Sequence, residues 1–223
     1  VSLGCSKNLV DSEVMISRIK NEEYELTNDA SQADIIIINT CGFIESAKQE
    51  SIDTILDMAE YKKIGRCKAL IASGCMAERY KEELMKELPE LDAVIGTGDY
   101  REITDVLKRV IGGEKVVRYG HQEIVDIDKL PRIISTFGAT AYLKIAEVCD
   151  NRCTYCIIPA LRGRYRSRRF ESIIEEAEVL AANGIKELNI IAQDITRYGK
   201  DIYGRYRLSE LLKELCRIQG IEW

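Results

Sequence analysis

The chain has 223 residues, enough for one or two domains, and its formal net charge of −5 gives no sign of a general nucleic-acid-binding surface. No apolar run approaches the roughly 20 residues of a membrane span, so we expect no membrane partner. A single histidine, His121, excludes sites that need several imidazoles and disfavours Cys–His or Ser–His catalysis.

Eight cysteines are present, and no basic segment followed by an apolar one opens the chain. Cysteines in a chain without an export signal indicate metal ligands more often than disulfides. We therefore expect a cytoplasmic protein that binds metal through thiolates.

The first part of the chain alternates predicted strands and helices. The predicted strands cover residues 1–3, 24–26, 34–39, 68–72 and 93–95, and the predicted helices cover residues 9–19, 44–63, 77–88 and 100–111. The run of four isoleucines at 35–38 is typical of a strand buried on both faces. This alternation predicts an α/β domain at residues 1–115, an open parallel sheet with flanking helices.

Residues 116–138 lose the helical period and contain Pro131 and Gly138, so they are predicted to be a linker with one or two short strands. A second α/β domain is predicted at residues 139–223. Its strands cover residues 141–146 and 187–191, its helices 171–182 and 208–218, and a loop 193–205. Two such units are too few to close a barrel, so we expect the chain to be an incomplete part of a larger protein.

Three cysteines lie close together at the start of this second domain, in a C-x3-C-x2-C pattern formed by Cys149, Cys153 and Cys156. A [4Fe–4S] cluster normally takes four thiolates, so three would leave one iron open to a small molecule. Zinc is the first alternative, but zinc sites favour C-x2-C pairs, and no second pair follows. The second alternative is three unrelated buried cysteines.

Three more cysteines, Cys5, Cys41 and Cys75, each end a predicted strand in the first domain. The carboxyl ends of parallel strands meet at one edge of a sheet, so these thiols are predicted to converge there. A glycine adjoins each of them, which allows the backbone to approach a bulky inorganic group. The alternative is three small, buried, hydrophobic side chains at strand ends.

Two cysteines remain outside these groups. Cys67 begins a predicted strand without an adjoining glycine loop, and Cys216 shares a predicted helix with several leucines. Both are predicted to be core residues.

The three-cysteine loop, with Tyr155 just before its last cysteine, resembles the signature of the radical S-adenosylmethionine (SAM) superfamily. The two cysteine trios together resemble the methylthiotransferases within it. Residues 2–13, 142–149, 157–163 and 192–199 are similar to the branch that modifies a ribosomal protein. The transfer-RNA branch usually reads Gly-Cys-Gln-Met-Asn at the first cysteine, where this chain has Gly-Cys-Ser-Lys-Asn.

The resemblance implies a transferase with two [4Fe–4S] clusters, SAM, and a second domain that forms the first part of a radical-SAM (β/α) partial TIM-type barrel. It implies that the cluster on Cys149, Cys153 and Cys156 cleaves SAM, and that the cluster on Cys5, Cys41 and Cys75 supplies the methylthio group. The implied target is the β-carbon of an aspartate in the twelfth protein of the small ribosomal subunit, with a flavodoxin-like electron donor. Two alternatives stay open: methylthiolation of N6-modified adenosine in transfer RNA, and a non-catalytic iron–sulfur electron carrier or scaffold.

A few other residues are candidates for the site, although no catalytic residue is predicted beyond the cluster ligands. Tyr155 could pack near the adenine of SAM, and Gln193 could contact SAM, while Asp194 could cap the turn that follows. The five arginines within residues 162–169 could hold an anion, including phosphates of ribosomal RNA, or could form a solvated basic face.

Overall fold

The structure is a computed structural model that describes residues 1–22, 24–120, 127–128, 131–136 and 138–223. The chain divides into two compact units, Val1–Val125 and Asp126–Trp223. The division falls inside the stretch predicted as a linker, and His121 lies outside the described residues.

The first unit contains a four-stranded sheet that confirms the predicted open parallel sheet. All strands are parallel, in the order of the chain. They are β1 (Ile35–Thr40), β2 (Ala69–Gly74), β3 (Ala93–Ile95) and β4 (Val116–Arg118). The last strand pairs with β3, although its residues were predicted to begin the linker.

Five α-helices and two 3₁₀ helices accompany this sheet in the described part of the first unit. They are α1 (Ser6–Lys20), α2 (Glu45–Ala59), α3 (Tyr61–Ile64), α4 (Cys75–Glu87) and α5 (Ile103–Ile111), with 3₁₀ helices at Ala30–Gln32 and Tyr100–Glu102. The single helix predicted at 44–63 is interrupted at Glu60, and Tyr61 then packs against the core. Helix α4 is kinked at Lys81, whose φ is 51°.

Two predicted short strands in this unit turn out differently. Residues 1–3 run beside β1 and hydrogen-bond to Asn39, but they contribute only a bridge between Ser2 and Asn39. Residues 24–26 form no strand, because they are largely exposed and have no apolar face to bury.

One part of the core of the first unit lies between the sheet and helices α2 and α4. Ile38 and Leu70 from the strands and Ile55 from α2 are 0% exposed and belong to one hydrophobic cluster. Burying a side chain of this size stabilises the fold by roughly 1.5–3 kcal/mol. Ile36 and Ile38 thus anchor β1, the first strand of the sheet, to this core, whereas Ile35 and Ile37 are only half-buried, so the strand is not buried on both faces as predicted.

The second unit is built on a parallel pair, β5 (Thr140–Lys144) and β8 (Glu187–Ile191), connected through α7 (Phe170–Ala182). A short antiparallel pair, β6 (Ala146–Glu147) and β7 (Arg166–Ser167), follows β5. The other helices are α6 (Ile158–Arg162), α8 (Lys200–Tyr203), α9 (Leu208–Leu215) and a 3₁₀ helix at Ile195–Arg197. Helix α8 and the 3₁₀ helix lie inside the predicted loop 193–205.

Helix α9 shows that the prediction for Cys216 was wrong. Leu211 and Leu215 are buried in the core of the second unit, whereas Leu212 is 39% exposed and Cys216 is exposed. Residues four apart share a helix face, so Cys216 lies on the outer face with Leu212. Cys67, in contrast, is buried in the core of the first unit, as predicted.

No helix in the described ranges combines the length and the apolar character that crossing a membrane requires.

Candidate iron–sulfur sites

The carboxyl edge of the first sheet brings Cys41 and Cys75 side by side. Cys41 directly follows β1, and Cys75 is the first residue of α4, directly after β2. The strands are in register up to their ends, where Thr40 lies opposite Gly74. Neighbouring parallel strands are about 4.8 Å apart, so the two cysteine loops leave the sheet as neighbours.

The loop that carries Cys5 reaches the same edge through Gly4. A Cβ placed on Gly4 would lie 2.6 Å from Cys41 Cβ and 3.0 Å from Cys41 Sγ. Gly4 also has a φ of +83°, which residues with a side chain rarely adopt. The glycine therefore lets the first loop approach the second, and Cys5 follows it as the cap residue of α1.

Glycines also allow close approach at the other two loops. A Cβ on Gly42 would lie 2.9 Å from the Cα of Met76, and a Cβ on Gly74 would lie 2.3 Å from Asn39 Oδ1. The structure thus brings the three predicted cysteines of this trio to one edge of the sheet.

Hydrogen bonds hold the Cys41 loop against α2 and α4. The backbone N–H of Cys41 donates to Ser51 Oγ at 3.0 Å, and this hydroxyl lies 2.9 Å from the Cys41 carbonyl oxygen that it can donate to. Arg79, on α4, donates from Nη1 to the Gly42 carbonyl oxygen at 2.8 Å. These contacts order the backbone on both sides of the thiol.

The donor set at this edge fits an iron–sulfur cluster. Cys5 is exposed, while Cys41 and Cys75 are each 9% exposed, and all three are free thiols. Cys5 is the cap residue of α1 and Cys75 is the first residue of α4, and the partial positive charge of a helix amino-terminus favours an anionic group. Among the described residues, no three His, Cys, Asp or Glu side chains are grouped tightly enough for a single metal ion. A cubane binds each thiolate at a different iron, so it does not need that tight grouping.

The second trio lies in the loop between β6 and α6. Cys153 is exposed, Cys149 and Cys156 are half-buried, and the N–H of Cys156 donates to the Cys153 carbonyl at 3.0 Å. Val148 and Arg152 have positive φ values, 71° and 48°, although neither is glycine. Such conformations cost about 1–3 kcal/mol each, so the surrounding contacts must hold the loop in shape.

A buried cluster of charges holds the two ends of this loop. Glu147, just before Cys149, lies 2.5 Å from Lys144 Nζ through Oε1 and 3.3 Å from Arg162 Nη1 through Oε2. All three residues are at most 6% exposed. Burial opposes the ionisation of Glu147, but Lys144 and Arg162 outweigh that effect and lower its pKa to about 2. Glu147 is therefore an anion that ties the entry of the loop to its exit.

The residues predicted to contact SAM lie around the same loop. Gln193 accepts the N–H of Val148 through Oε1 at 2.6 Å, so it supports the strained backbone before Cys149. Tyr155 is 88% exposed and leaves its ring open for stacking. Asp194 caps the 3₁₀ helix that follows it, accepting from Thr196 N at 3.0 Å, as predicted. The roles of Tyr155 and Gln193 toward SAM stay predictions.

The arginine run divides into buried and exposed members, which neither predicted alternative anticipated. Arg162 binds Glu147, and the buried Arg168 donates to the Lys144 carbonyl at 2.8 Å and also pairs with Glu176. Arg164 and Arg169 are exposed. Part of the run therefore stabilises the second unit, and only its exposed members offer charge to a partner.

Sequence reasoning missed Lys144 and Glu147 as supports of the cysteine loop. The available signal was two charged residues, three positions apart, inside the otherwise apolar run at residues 141–148. Charges seldom lie in such a run unless they are paired.

Each of the two units matches a known protein family. Residues 1–96 match the family described as Uncharacterized protein family UPF0004, and residues 143–222 match the Radical SAM superfamily. The chain is 58% identical, over its whole length, to Ribosomal protein uS12 methylthiotransferase RimO of Clostridioides difficile, of which it covers 50%. It is 54% identical to the protein of the same name from Thermoanaerobacter sp., of which it covers 51%. The chain thus spans about half the length of these relatives.

A solved structure shares the fold at low identity. It is the radical SAM methyltransferase TsrM of Kitasatospora setae, described with a tryptophan substrate and a SAM analogue bound. The TM-score is 0.56 at 12% identity, and the match covers 95% of this chain and 48% of that one. The two matching families follow one another in the order of the two cysteine trios, and the whole chain is similar to proteins named uS12 methylthiotransferases, which confirms the predicted resemblance to the radical SAM methylthiotransferases.

Proposed function

We propose that the complete protein adds a methylthio group to the β-carbon of an aspartate in ribosomal protein uS12. The observation that carries this proposal is the 58% identity to a uS12 methylthiotransferase along the whole chain, through both cysteine trios. The geometry supports it, because each unit presents three thiols in a setting that fits a cluster. The amino-terminal motif Gly-Cys-Ser-Lys-Asn favours the ribosomal-protein branch over the transfer-RNA branch.

Two [4Fe–4S] clusters would be held by the two trios, with Cys149, Cys153 and Cys156 leaving one iron for SAM. When bound, these groups supply radical generation from SAM and the transfer of sulfur and methyl, chemistry that no side chain provides alone. The protein's own contribution is to hold the thiols in place.

In the second unit, the chain would hold both ends of the loop that carries Cys149, Cys153 and Cys156. Glu147, bound to Lys144 and Arg162, fixes the entry and exit of the loop. Gln193 fixes Val148, and the exposed ring of Tyr155 offers an apolar face for adenine.

In the first unit, the buried positions of Cys41 and Cys75 would keep bulk water from most of the sulfur-carrying site. Ser51 and Arg79 order the backbone beside Cys41. Cys5 is the exposed member, so we propose that the substrate approaches from its side.

The remaining partners are proposed from charge and redox chemistry. Exposed Arg164 and Arg169 offer positive charge for an acidic substrate residue or for phosphates of ribosomal RNA. Cleaving SAM requires an electron, for which we propose a flavodoxin-like donor. Eight free cysteines, six of them proposed ligands, suit the reducing conditions of the cytoplasm.

The test uses the complete protein in a host that lacks its own uS12 methylthiotransferase. Mass spectrometry is expected to find one methylthio group on uS12, lost in Cys75→Ala and kept in Cys67→Ala, which alters a buried cysteine outside the trio. A methylthio group on transfer RNA alone would move the proposal to the alternative substrate. No modification of either, with a reduced cluster whose spectrum ignores SAM, would favour an electron carrier or scaffold.

A further inference from the structure

We propose that Asn8 is a positioning residue that holds the three cysteine loops of the first unit in register for cluster binding. The inference rests on the proposed function in taking Cys5, Cys41 and Cys75 as cluster ligands. It adds a role for a residue outside the ligand set.

Asn8 joins the first two loops through its amide nitrogen. Nδ2 donates to the Leu3 carbonyl oxygen at 3.2 Å and to the Thr40 carbonyl oxygen at 2.9 Å. Leu3 precedes the Gly4–Cys5 turn, and Thr40 directly precedes Cys41. One side chain therefore fixes the backbone before two of the thiols.

The other end of the amide faces the third loop. The Cys75 thiol lies within hydrogen-bonding range of Asn8 Oδ1, with Sγ and Oδ1 3.7 Å apart. Carbonyl oxygens only accept hydrogen bonds, so Leu3 and Thr40 require the nitrogen on their side and thereby direct Oδ1 toward Cys75. The orientation of the amide is thus set by two backbone groups, and in the metal-free protein it lets Oδ1 accept from the Cys75 thiol and order the third loop before the thiol loses its proton to bind iron.

Asn8 is itself held rigidly. It is 0% exposed, and its backbone carbonyl oxygen accepts from Asn39 Nδ2 at 2.7 Å and from Ser12 Oγ at 3.0 Å. Asn39 Nδ2 also donates to Ser12 Oγ at 2.9 Å, and a Cβ on Gly74 would lie 2.3 Å from Asn39 Oδ1. This buried network supports Asn8 from behind and gives it a fixed position beside the thiols.

The first experiment measures thiol alkylation in the complete apo-protein, so it does not depend on a bound cluster. Cys67 is an internal reference, because it is 6% exposed, close to the 9% of Cys41 and Cys75, but lies outside the three loops. In Asn8→Ala we expect Cys41 and Cys75 to react at least about tenfold faster with iodoacetamide, with Cys67 unchanged, as local opening would produce. Ser17→Ala is the matched control: it removes a buried hydroxyl from the same helix, α1, outside this network, and is expected to leave all three rates within about twofold.

The second experiment measures cluster content after anaerobic reconstitution. The complete wild-type protein is expected to hold about eight irons, and Asn8→Ala about four, because the loop at Cys149–Cys156 is untouched. Asn8→Asp keeps the size of the side chain but places a carboxylate before the two carbonyl oxygens, so we expect the same loss. The signal that responds to SAM should persist in both variants.

The results of these two experiments decide whether Asn8 positions the three cysteine loops. If Cys67 reacts as fast as Cys75 in Asn8→Ala, the residue supports the whole unit and the positioning role is wrong. The positioning role would also be wrong if both variants had the alkylation rates, the iron content and the electron paramagnetic resonance spectrum of the wild type. A wild-type protein that binds only one cluster would count against the proposed function, whereas the alkylation result would still decide the role of Asn8 in the loops.

Discussion

Glu147 and Arg162 form a buried ion pair across the two ends of the three-cysteine loop, with Arg162 Nη1 3.3 Å from Glu147 Oε2. The antiparallel pairing of β6 with β7 places Glu147 opposite Arg166 and brings these ends together. The loop between them contains strained backbone at Val148 and Arg152. The pair therefore counteracts the tendency of the loop to relax into a shape that would separate its thiols.

Replacing Arg162 should weaken the second unit. Removing one partner of a buried pair costs roughly 3–5 kcal/mol, and because Lys144 stays beside Glu147 we expect Arg162→Met to fall at or just below the lower end of that range. Urea unfolding of the apo-protein measures the change. The control, Arg169→Met, breaks a pair with Asp128 whose arginine side chain is 77% exposed, so it should cost at most about 1 kcal/mol. Equal effects of the two substitutions would contradict a special role for the buried pair.

Gly4 offers a test of how closely the first two cysteine loops must approach. Gly4→Ala places a Cβ 2.6 Å from Cys41 Cβ, whereas Gly113→Ala, at a similar φ of +87°, meets nothing within 4 Å. Both should lose about 1 kcal/mol or more from backbone strain. Only Gly4→Ala should lose considerably more unfolding free energy and bind less iron. If the two variants behave alike, close approach is not required.

Ser51, although it lies on α2, should stabilise the Cys41 loop. The side chain is 0% exposed and contacts both backbone groups of Cys41, so Ser51→Ala leaves a buried N–H unsatisfied. We expect a loss of about 1–3 kcal/mol in unfolding free energy and faster alkylation of Cys41. Thr54→Ala, which removes only a bond to the Glu50 carbonyl on the same helix, is the comparison. A faster reaction of Cys41 in Thr54→Ala as well would assign the effect to α2 as a whole.

Strand–helix alternation predicts which residues end parallel strands, and this was sufficient to place Cys41 and Cys75 together. The approach of Cys5 depends also on the turn at Gly4, because residues 1–3 form only a bridge with β1. The sequence was not sufficient for Glu147 and Arg162, whose contact depends on a two-residue antiparallel pairing with no periodic signal. The prediction that Cys216 is buried was wrong because α9 has leucines on two faces, and only packing shows which face is buried. The short strand Val116–Arg118 agrees with the one or two short strands predicted for the linker, but three residues carry too little pattern to predict that it pairs with β3.

The last prediction concerns pH and Glu78, which lies on α4 and is 3% exposed. Burial raises the pKa of this carboxyl above its ordinary 4.5, although the N–H of Thr97 donates to Oε2 at 3.1 Å and opposes the shift. The folded state therefore holds the proton more tightly than the unfolded state does. This contribution to stability is complete below about pH 4.5 and is lost as the pH rises through the folded pKa.

Glu78→Gln keeps an acceptor for the Thr97 N–H but cannot ionise. Relative to the wild type, it should therefore gain more unfolding free energy at about pH 8 than at about pH 5, measured by urea unfolding of the apo-protein. Glu82→Gln is the matched control, because Glu82 is exposed on the same helix and its pKa is lowered, chiefly by hydrogen bonds to backbone and to Tyr119. That variant should show no gain at the higher pH. A difference between wild type and Glu78→Gln that stays constant across this range would mean that Glu78 ionises alike in the folded and unfolded states, and that its burial on α4 does not bias its charge.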